Sequence, residues 1–214
     1  MTEQPPKDTA SRILDAALTE FAERGFDGTS TAAIAERAGV AKALVFHHFG
    51  SKDALFLAVA EHTIERARLE YDRVMAEAPP DLLARVLAWT ERKFAMFRED
   101  PRQLRFLMVS LVHAPKPLRD DVRRIHQTLV SRDAHKLVEG MDASRLRVSP
   151  QEALDALETV VLGIEQRFYA LPLGARTSAQ VEQFASEAKK LLSLLARALY
   201  RESPAKKSAP KAKG

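Results

Sequence analysis

Residues 29–52 read TSTAAIAERAGVAKALVFHHFGSK, and this stretch decides the fold of the chain. Ser30 or Thr31 can cap a short helix, and a second short helix is expected over about residues 41–48. Between them, Ala38-Gly39-Val40 predicts a tight turn, because glycine tolerates the positive φ with which many helices end. The apolar positions fit two helices packed across that turn: Ala35, Val40, Val45 and Phe49. The stretch therefore predicts a helix-turn-helix.

The second helix of this pair has the dimensions of a DNA-reading element. Eight residues at about 1.5 Å each give a length of about 12 Å, close to the width of the major groove. An earlier helix, capped by Asp8 or Thr9 and ending at Gly25, completes a head over residues 9–56. We interpret the chain as a sequence-specific transcription regulator.

The rest of the chain shows helical spacing of its apolar residues. Prolines and capping residues divide it into helices that we predict at 51–78, 81–99, 101–113, 118–138, 150–171 and 177–201. Apolar and polar positions never alternate long enough to indicate a strand. The predicted fold class is all-α, with about nine helices in a three-helix head and a larger body.

Net charge does not locate the DNA-binding region. The chain carries +4, but four lysines without any acidic residue lie in residues 203–214, so 4 minus 4 leaves the remainder neutral. Residues 1–53 hold six Lys and Arg against eight Asp and Glu, a net of −2. We therefore expect a DNA-binding domain at 1–56, a body at 57–202 and a disordered lysine-rich tail at 203–214.

Composition excludes several other classes of protein. The chain has no cysteine, so it can form neither disulfides nor thiolate metal sites. Its N-terminus lacks a basic region followed by an apolar run, and no apolar stretch approaches the roughly 18 residues of a membrane span. We expect a cytoplasmic protein that needs no cofactor or metal.

Motifs for catalysis are missing from the sequence. It contains no G-x-S-x-G, G-x-G-x-x-G, P-loop or H-E-x-x-H. His62 and Glu65 have a spacing that suits a metal, but no second pair accompanies them. We therefore predict that the protein is not an enzyme. A second alternative is a non-specific DNA-coating protein whose tail supplies the affinity by counterion release.

Four segments of the head point to one family. They are Arg12-Ile13-Leu14 with Phe21, then Gly25-Phe26, then Gly39-Val40-Ala41-Lys42, and finally FHHFGSKDAL at residues 46–55. Together they resemble the tetracycline-repressor (TetR) family. The resemblance implies an all-helical homodimer that binds palindromic operator DNA, most commonly as a repressor, and is released when a small effector binds in the body.

The same resemblance implies which residues touch DNA. Bases would face Lys42, Ala43, Leu44 and His47, and phosphates would contact Thr31, His48 and Lys52. Phe46 is a further candidate DNA-binding residue, but it stands where a tyrosine is common, so the phenolic hydrogen bond to phosphate is lost. The alternative, which we favour for both Phe46 and Phe49, is packing in the core. Ala43 and Leu44 could touch thymine methyl groups but cannot form hydrogen bonds.

The resemblance further implies an effector cavity between the helices of the body. The candidate lining residues are Trp89, Phe94, Phe97, His126, Arg167, Phe168 and Tyr169. Lys93, His113 and Glu165 also interrupt the apolar faces and could orient a ligand, although solvent exposure is the alternative for each. We expect an uncharged or anionic apolar effector, such as an aromatic or acyl compound.

The last two helices carry more apolar surface than one small body needs. In the resembling family these helices pair with their symmetry mates as a four-helix bundle. The candidate interface residues are Leu154, Leu157, Val161, Phe184, Leu191, Leu192 and Leu195. An effector that prefers a body conformation with wrongly spaced heads would lower DNA affinity, and the helix predicted at 51–78 is the expected connector.

Overall fold

The structure is a computed structural model that describes residues 8–171 and 177–201. These residues form nine α-helices and one short 3₁₀ helix: α1 Thr9–Arg24, α2 Thr31–Ala38, α3 Lys42–Phe49, α4 Lys52–Ala76, α5 Leu82–Glu99, α6 Pro101–His113, the 3₁₀ helix Lys116–Leu118, α7 Arg119–Val138, α8 Pro150–Tyr169 and α9 Ser178–Leu199. The predicted all-α class is confirmed. The tail predicted at 203–214 lies outside the described residues.

The helices begin where capping residues predict. Each of four side chains accepts a hydrogen bond from the backbone N–H three residues further on: Asp8, Ser30, Ser51 and Asp81. Such a cap stabilises a helix by about 1 kcal/mol. The helix α4 ends at Ala76, two residues before the predicted end at Ala78, because a residue that precedes proline is disfavoured in the helical conformation.

The apolar core of the first three helices is not separate from the rest of the chain. It forms one cluster with side chains of α6 and α7, among them Phe106, Val109 and Val122. The ring centroids of Phe21 and Phe56 lie 5.0 Å apart, and those of Phe56 and Phe106 lie 5.3 Å apart. The boundary predicted at residue 56 therefore crosses a continuous core, and the division into two domains stays a prediction.

Two further apolar clusters build the body. The second cluster joins α4, α5, α8 and α9 through side chains that include Tyr71, Leu82 and Leu154. The third joins α5, α6, α8 and α9 through aromatic and aliphatic side chains, among them Phe94 and Phe168. Since α4 contributes to the first cluster with its N-terminal half and to the second with Tyr71, it connects the head to the body.

A buried arginine ties the start of α5 to the end of α7. The Nε atom of Arg85 donates to the carbonyl oxygen of Pro79 at 2.6 Å, and its Nη1 donates to those of Leu137 at 3.1 Å and Glu139 at 2.7 Å. The side chain thereby satisfies carbonyl groups that a helix leaves free at its C-terminus. Within the described ranges, no helix combines the length and apolarity needed to cross a membrane.

Candidate DNA-binding site and ligand cavity

The turn between α2 and α3 is held by an arginine from α1. Gly39 ends α2 in the left-handed conformation, with φ 65° and ψ 40°. The Nη2 atom of Arg12 donates to the carbonyl oxygens of Ala38 at 2.6 Å and Gly39 at 3.1 Å. A cation at this position also complements the negative end of the α2 dipole. A side chain at residue 39 would meet that guanidinium, since a Cβ atom would lie 2.9 Å from Nη2.

A buried carboxylate makes a second link between α1 and α2. Glu20 is 2% exposed, and its carboxylate oxygens lie 2.7 Å from Nε of Arg37 and 3.2 Å from Nη1 of Arg24. The hydrogen bond from Arg37 to Glu20 raises the pKa of the guanidinium, which stays charged. The two links together fix α2, and with it the turn, against α1.

The helix α3 turns most of its surface to solvent. Val45 is buried and Phe49 packs against the first cluster, so these two residues mark the inward side. At about 100° per residue, the opposite side is centred on Ala43 and His47 and is flanked by Leu44 and Phe46. All four residues implied as base contacts are exposed: Lys42, Ala43, Leu44 and His47.

The expectation that Phe46 packs in the core is wrong. Its side chain is 44% exposed, and its ring lies 5.7 Å from Nζ of Lys42. Only one direction on α3 points inward, and Val45 and Phe49 occupy it, which leaves Phe46 on the flank. The expectation for Phe49 agrees with its partial burial against the first cluster.

The implied phosphate contacts lie at the starts of helices or beside them. Thr31 is the first residue of α2 and Lys52 is the first residue of α4, where backbone N–H groups are free. Nζ of Lys52 lies 4.2 Å from the centroid of the Phe26 ring, a cation–π contact that holds the ammonium at this helix end. His48 is exposed, and its ring centroid lies 5.4 Å from that of His47.

Comparison with known proteins decides the family. The family model for "Bacterial regulatory proteins, tetR family" matches residues 13–59. The HTH-type transcriptional repressor AcnR of Corynebacterium efficiens is 30% identical over 185 residues, which cover 82% of this chain and 88% of the repressor. The chain belongs to the TetR family.

Other members support this assignment. An HTH-type transcriptional repressor of Mycobacterium tuberculosis is 44% identical over 82 residues, 38% of this chain and 42% of that protein. The fold is similar to that of a solved transcriptional regulator from Aquifex aeolicus, with a TM-score of 0.68 and 18% identity over 88% of this chain and 99% of that one. Both curated relatives are transcriptional repressors.

The body of this TetR-family chain contains a cavity of about 460 Å³. Side chains of α4 to α8 line it, and most of them are apolar, including Ile64, Met96 and Leu107. Three of the predicted lining residues face it: Trp89, Phe97 and His126. The cavity therefore exists where the body was expected to hold a ligand, although its walls differ in part from those expected.

Three other predicted lining residues do not face this cavity. The rings of Phe94 and Phe168 belong to the third cluster, with centroids 6.5 Å apart, so they form core. Arg167 is exposed, pairs with Glu187 and lies over the ring of Phe184. The side chain of Tyr169 lies outside the described part of the structure. The predicted cavity residues of α8 are wrong because the spacing of apolar residues does not show which face of a helix lines a cavity and which face packs in the core.

Polar residues form a cluster at one side of the cavity. Lys93 pairs with Glu165, and its Nζ lies 5.8 Å from the ring centroid of Trp89. Glu158 also lines the cavity, and burial raises the pKa of its carboxyl group. Both Lys93 and Glu165 are half-buried, whereas His113 is exposed. The sequence interpretation missed Glu158, although its spacing of seven residues from Glu165 places both on one side of α8.

His126 is a second residue of the cavity wall whose pKa is shifted by burial. Its Nε2 lies 3.2 Å from Oγ of Ser110, and burial lowers its pKa from 6.5 to about 4. The pKa of His126 is lower in the folded than in the unfolded protein. The neutral ring therefore contributes its full stabilisation of the fold above pH 6.5, and this contribution is lost as the pH falls towards 4. Lowering the pH from 7.5 to 5 should reduce the free energy of unfolding of both the wild type and His126→Gln. We expect the reduction to be larger in the wild type by roughly 2 kcal/mol. Urea denaturation at both values measures this difference.

The exposed histidine of α6 supplies the control for that experiment. The free energy of unfolding of His113→Gln should depend on pH as that of the wild type does, because the ring of His113 is already exposed to solvent in the folded protein. An equal pH dependence of the wild type and His126→Gln would contradict the prediction.

Several predicted interface residues are core within a single chain. Leu154, Leu157 and Leu192 are at most 1% exposed, and Phe184 is 6% exposed. Their side chains pack between α8, α9 and neighbouring helices, so a second copy of the chain cannot reach them in this conformation, and the predicted interface is corrected at these four positions. Val161 lines the cavity, and Leu191 and Leu195 are half-buried. The large apolar side chains that α8 and α9 do expose are Leu162, at 50%, and Leu194, at 48%.

The helix α6 connects the cavity to the head. Gln103, Leu107 and Leu111 line the cavity, whereas Phe106 belongs to the core of the head. At the start of α6, Arg102 donates from Nη1 to Oγ1 of Thr19 in α1 at 2.9 Å. A displacement of α6 at the cavity therefore acts directly on α1.

Proposed function

We propose that this chain is a ligand-responsive repressor that binds palindromic operator DNA as a homodimer and releases it when a small apolar effector occupies the cavity. The observation that carries the proposal is the surface of α3: an eight-residue helix that exposes one continuous face and follows a turn anchored to α1 by Arg12. An exposed helix of this size, held rigidly at its start, suits insertion into the major groove.

The geometry of the body supports a response to a ligand. Both α4 and α6 line the cavity, and both also contribute to the core of the head. An effector that binds better to one arrangement of these helices shifts the heads by its difference in affinity for the two arrangements. The charged residues of the cavity wall balance, with Lys93 and Arg123 against Glu158 and Glu165, and Lys93 is already paired with Glu165, so we expect an uncharged effector.

The exposed residues of α8 and α9 support a dimer. Leu194, together with Leu162, which lines the cavity and is also half exposed, presents apolar surface that a second copy of the chain would cover. A two-fold arrangement would use the same patch on both subunits. We therefore propose Leu162 and Leu194 as interface residues, with Leu191 and Leu195 beside them. Two heads related by this symmetry would bind two half-sites of a palindrome.

Selection of bound fragments from a random DNA library tests the proposal. We expect enrichment of an inverted repeat, because a symmetric dimer presents the same reading surface twice. A chain shortened at residue 202 should select the same sequence, although with a weaker salt dependence, since four lysines are lost. A library without any enriched sequence would reject the proposed function and favour the non-specific alternative.

Filling the cavity should separate effector response from DNA binding. Ala67 lines the cavity from α4, and Ala67→Phe would occupy part of its volume. We expect the variant to bind the selected operator with unchanged affinity but to lose the response to apolar compounds that release the wild type. Titration of such compounds into the protein–operator complex, followed by fluorescence anisotropy, measures the response.

A second alanine of the same helix provides the matched control. Ala76 is exposed at the end of α4, so Ala76→Phe adds the same side chain outside the cavity and should respond like the wild type. If the Ala67→Phe variant left the operator at the same effector concentrations as the wild type, the effector would have to bind outside this cavity.

A further inference from the structure

The exposed face of α3 carries few side chains that can form hydrogen bonds. Residues 42–49 contain no arginine, asparagine or glutamine, the side chains that form most paired hydrogen bonds with guanine and adenine. The side chains on α3 that can donate or accept hydrogen bonds are those of Lys42, His47 and His48. Hydrogen bonds from α3 to bases are therefore limited to these three side chains, and the rest of its exposed face can discriminate only through apolar contacts.

The same face is unusually rich in exposed apolar side chains. In the described part of the chain, seven large apolar residues are markedly exposed, and α3 carries two of them in only eight residues. Leu44 is 38% exposed and Phe46 is 44% exposed, and they flank the methyl group of Ala43. Apolar surface in water is unfavourable, so this face gains free energy only when it meets an apolar partner.

The major groove offers one apolar group among the edges of its base pairs, the 5-methyl group of thymine. We infer that α3 recognises thymine through this methyl group, with Leu44 as the principal specificity-determining residue; the inference rests on the proposed function. Leu44 is the third residue of α3, and recognition helices contact bases mainly with their N-terminal residues. Phe46 lies later in the helix, beside the ammonium group of Lys42.

Replacement of single thymines in the selected operator by deoxyuridine tests this inference. Deoxyuridine keeps every hydrogen-bonding group of thymine and lacks only the methyl group. We expect affinity to fall about fourfold for the replacement in one half-site, the factor for one buried methyl group, and about fifteenfold when both half-sites are changed. The effect should be confined to one or two thymines in each half-site.

A variant then assigns the contact to its residue. Leu44→Ala should bind thymine and deoxyuridine at the sensitive position with equal affinity. Leu69→Ala removes another exposed leucine, in α4 and outside α3, and should keep the fourfold preference. Both side chains are exposed, so we expect circular dichroism to show wild-type helix content for each. A preference that persists in Leu44→Ala would overturn the role of Leu44.

A substitution in the DNA alone gives an independent test. Exchange of the sensitive thymine for cytosine should weaken binding, and 5-methylcytosine at the same position should restore part of the affinity, because it returns the methyl group. An enriched operator whose binding is indifferent to every deoxyuridine and every 5-methylcytosine overturns this inference and leaves the proposed function intact. A library without enrichment rejects the proposed function itself.

Discussion

Replacing Gly39 with alanine is expected to lower operator affinity at least about tenfold and to reduce the free energy of unfolding by about 2 to 3 kcal/mol. The residue has φ 65°, a backbone conformation that disfavours any side chain. The new Cβ would also lie 2.9 Å from Nη2 of Arg12 and push the guanidinium away from the carbonyl groups that end α2. The turn would lose its anchor to α1, and α3 would lose its fixed orientation.

The control for Gly39 is a second glycine with positive φ. Gly140 has φ 63°, and a Cβ atom there would meet nothing within 4 Å. Gly140→Ala should therefore show only the backbone cost of about 1 to 2 kcal/mol and should bind the operator like the wild type. Fluorescence anisotropy with the selected operator and urea denaturation measure the two quantities. Equal operator affinities of the two variants would contradict the role assigned to Arg12.

Replacing Arg85 with methionine is expected to lower the free energy of unfolding by at least about 3 kcal/mol. Arg85 is 7% exposed, and its guanidinium donates to the carbonyl groups of four residues: Pro79 before α5, and Lys136, Leu137 and Glu139 at the end of α7. Methionine fills a similar volume but donates no hydrogen bond, so these buried acceptors would lose their partner. The result should appear as a lower urea midpoint.

The same helix offers a matched arginine at its surface. Arg98 lies in the last turn of α5 and is exposed, so Arg98→Met should shift the free energy of unfolding by less than about 0.5 kcal/mol. If Arg85→Met and Arg98→Met unfolded at the same urea concentration, the structural role of the buried guanidinium would be wrong.

Several features of the DNA-binding surface can be predicted from the amino-acid sequence. The positions of Gly39, Val45 and Lys52 relative to their helices follow from local rules of capping, turns and helical spacing. The exposure of Phe46 could not be predicted, because an aromatic residue near two core residues satisfies the same apolar pattern. The contact between Lys52 and Phe26 also needed the fold, since the two residues belong to different segments of the head.

The body was less predictable than the head. Spacing identified the apolar faces of α8 and α9, but it could not tell which face meets the rest of the chain and which meets solvent. The pairing of Lys93 with Glu165 joins residues of α5 and α8 that are 72 positions apart. The long side chains of both residues suit solvent as well as a cavity, so only the packing of the helices identified them as part of its wall.

The amino-acid sequence by itself determined the all-α class, the helix boundaries to within about two residues, and the helix-turn-helix. These depend on interactions within about four residues, such as a side-chain cap, a glycine with positive φ or a proline, and such interactions can be inferred from neighbouring letters. Only the tertiary structure decided that Arg12 anchors the turn, that Leu154 and Leu157 are core, and that Leu44 and Phe46 are exposed together. Those outcomes depend on which helices pack against each other, and the partners lie tens of residues apart in the chain.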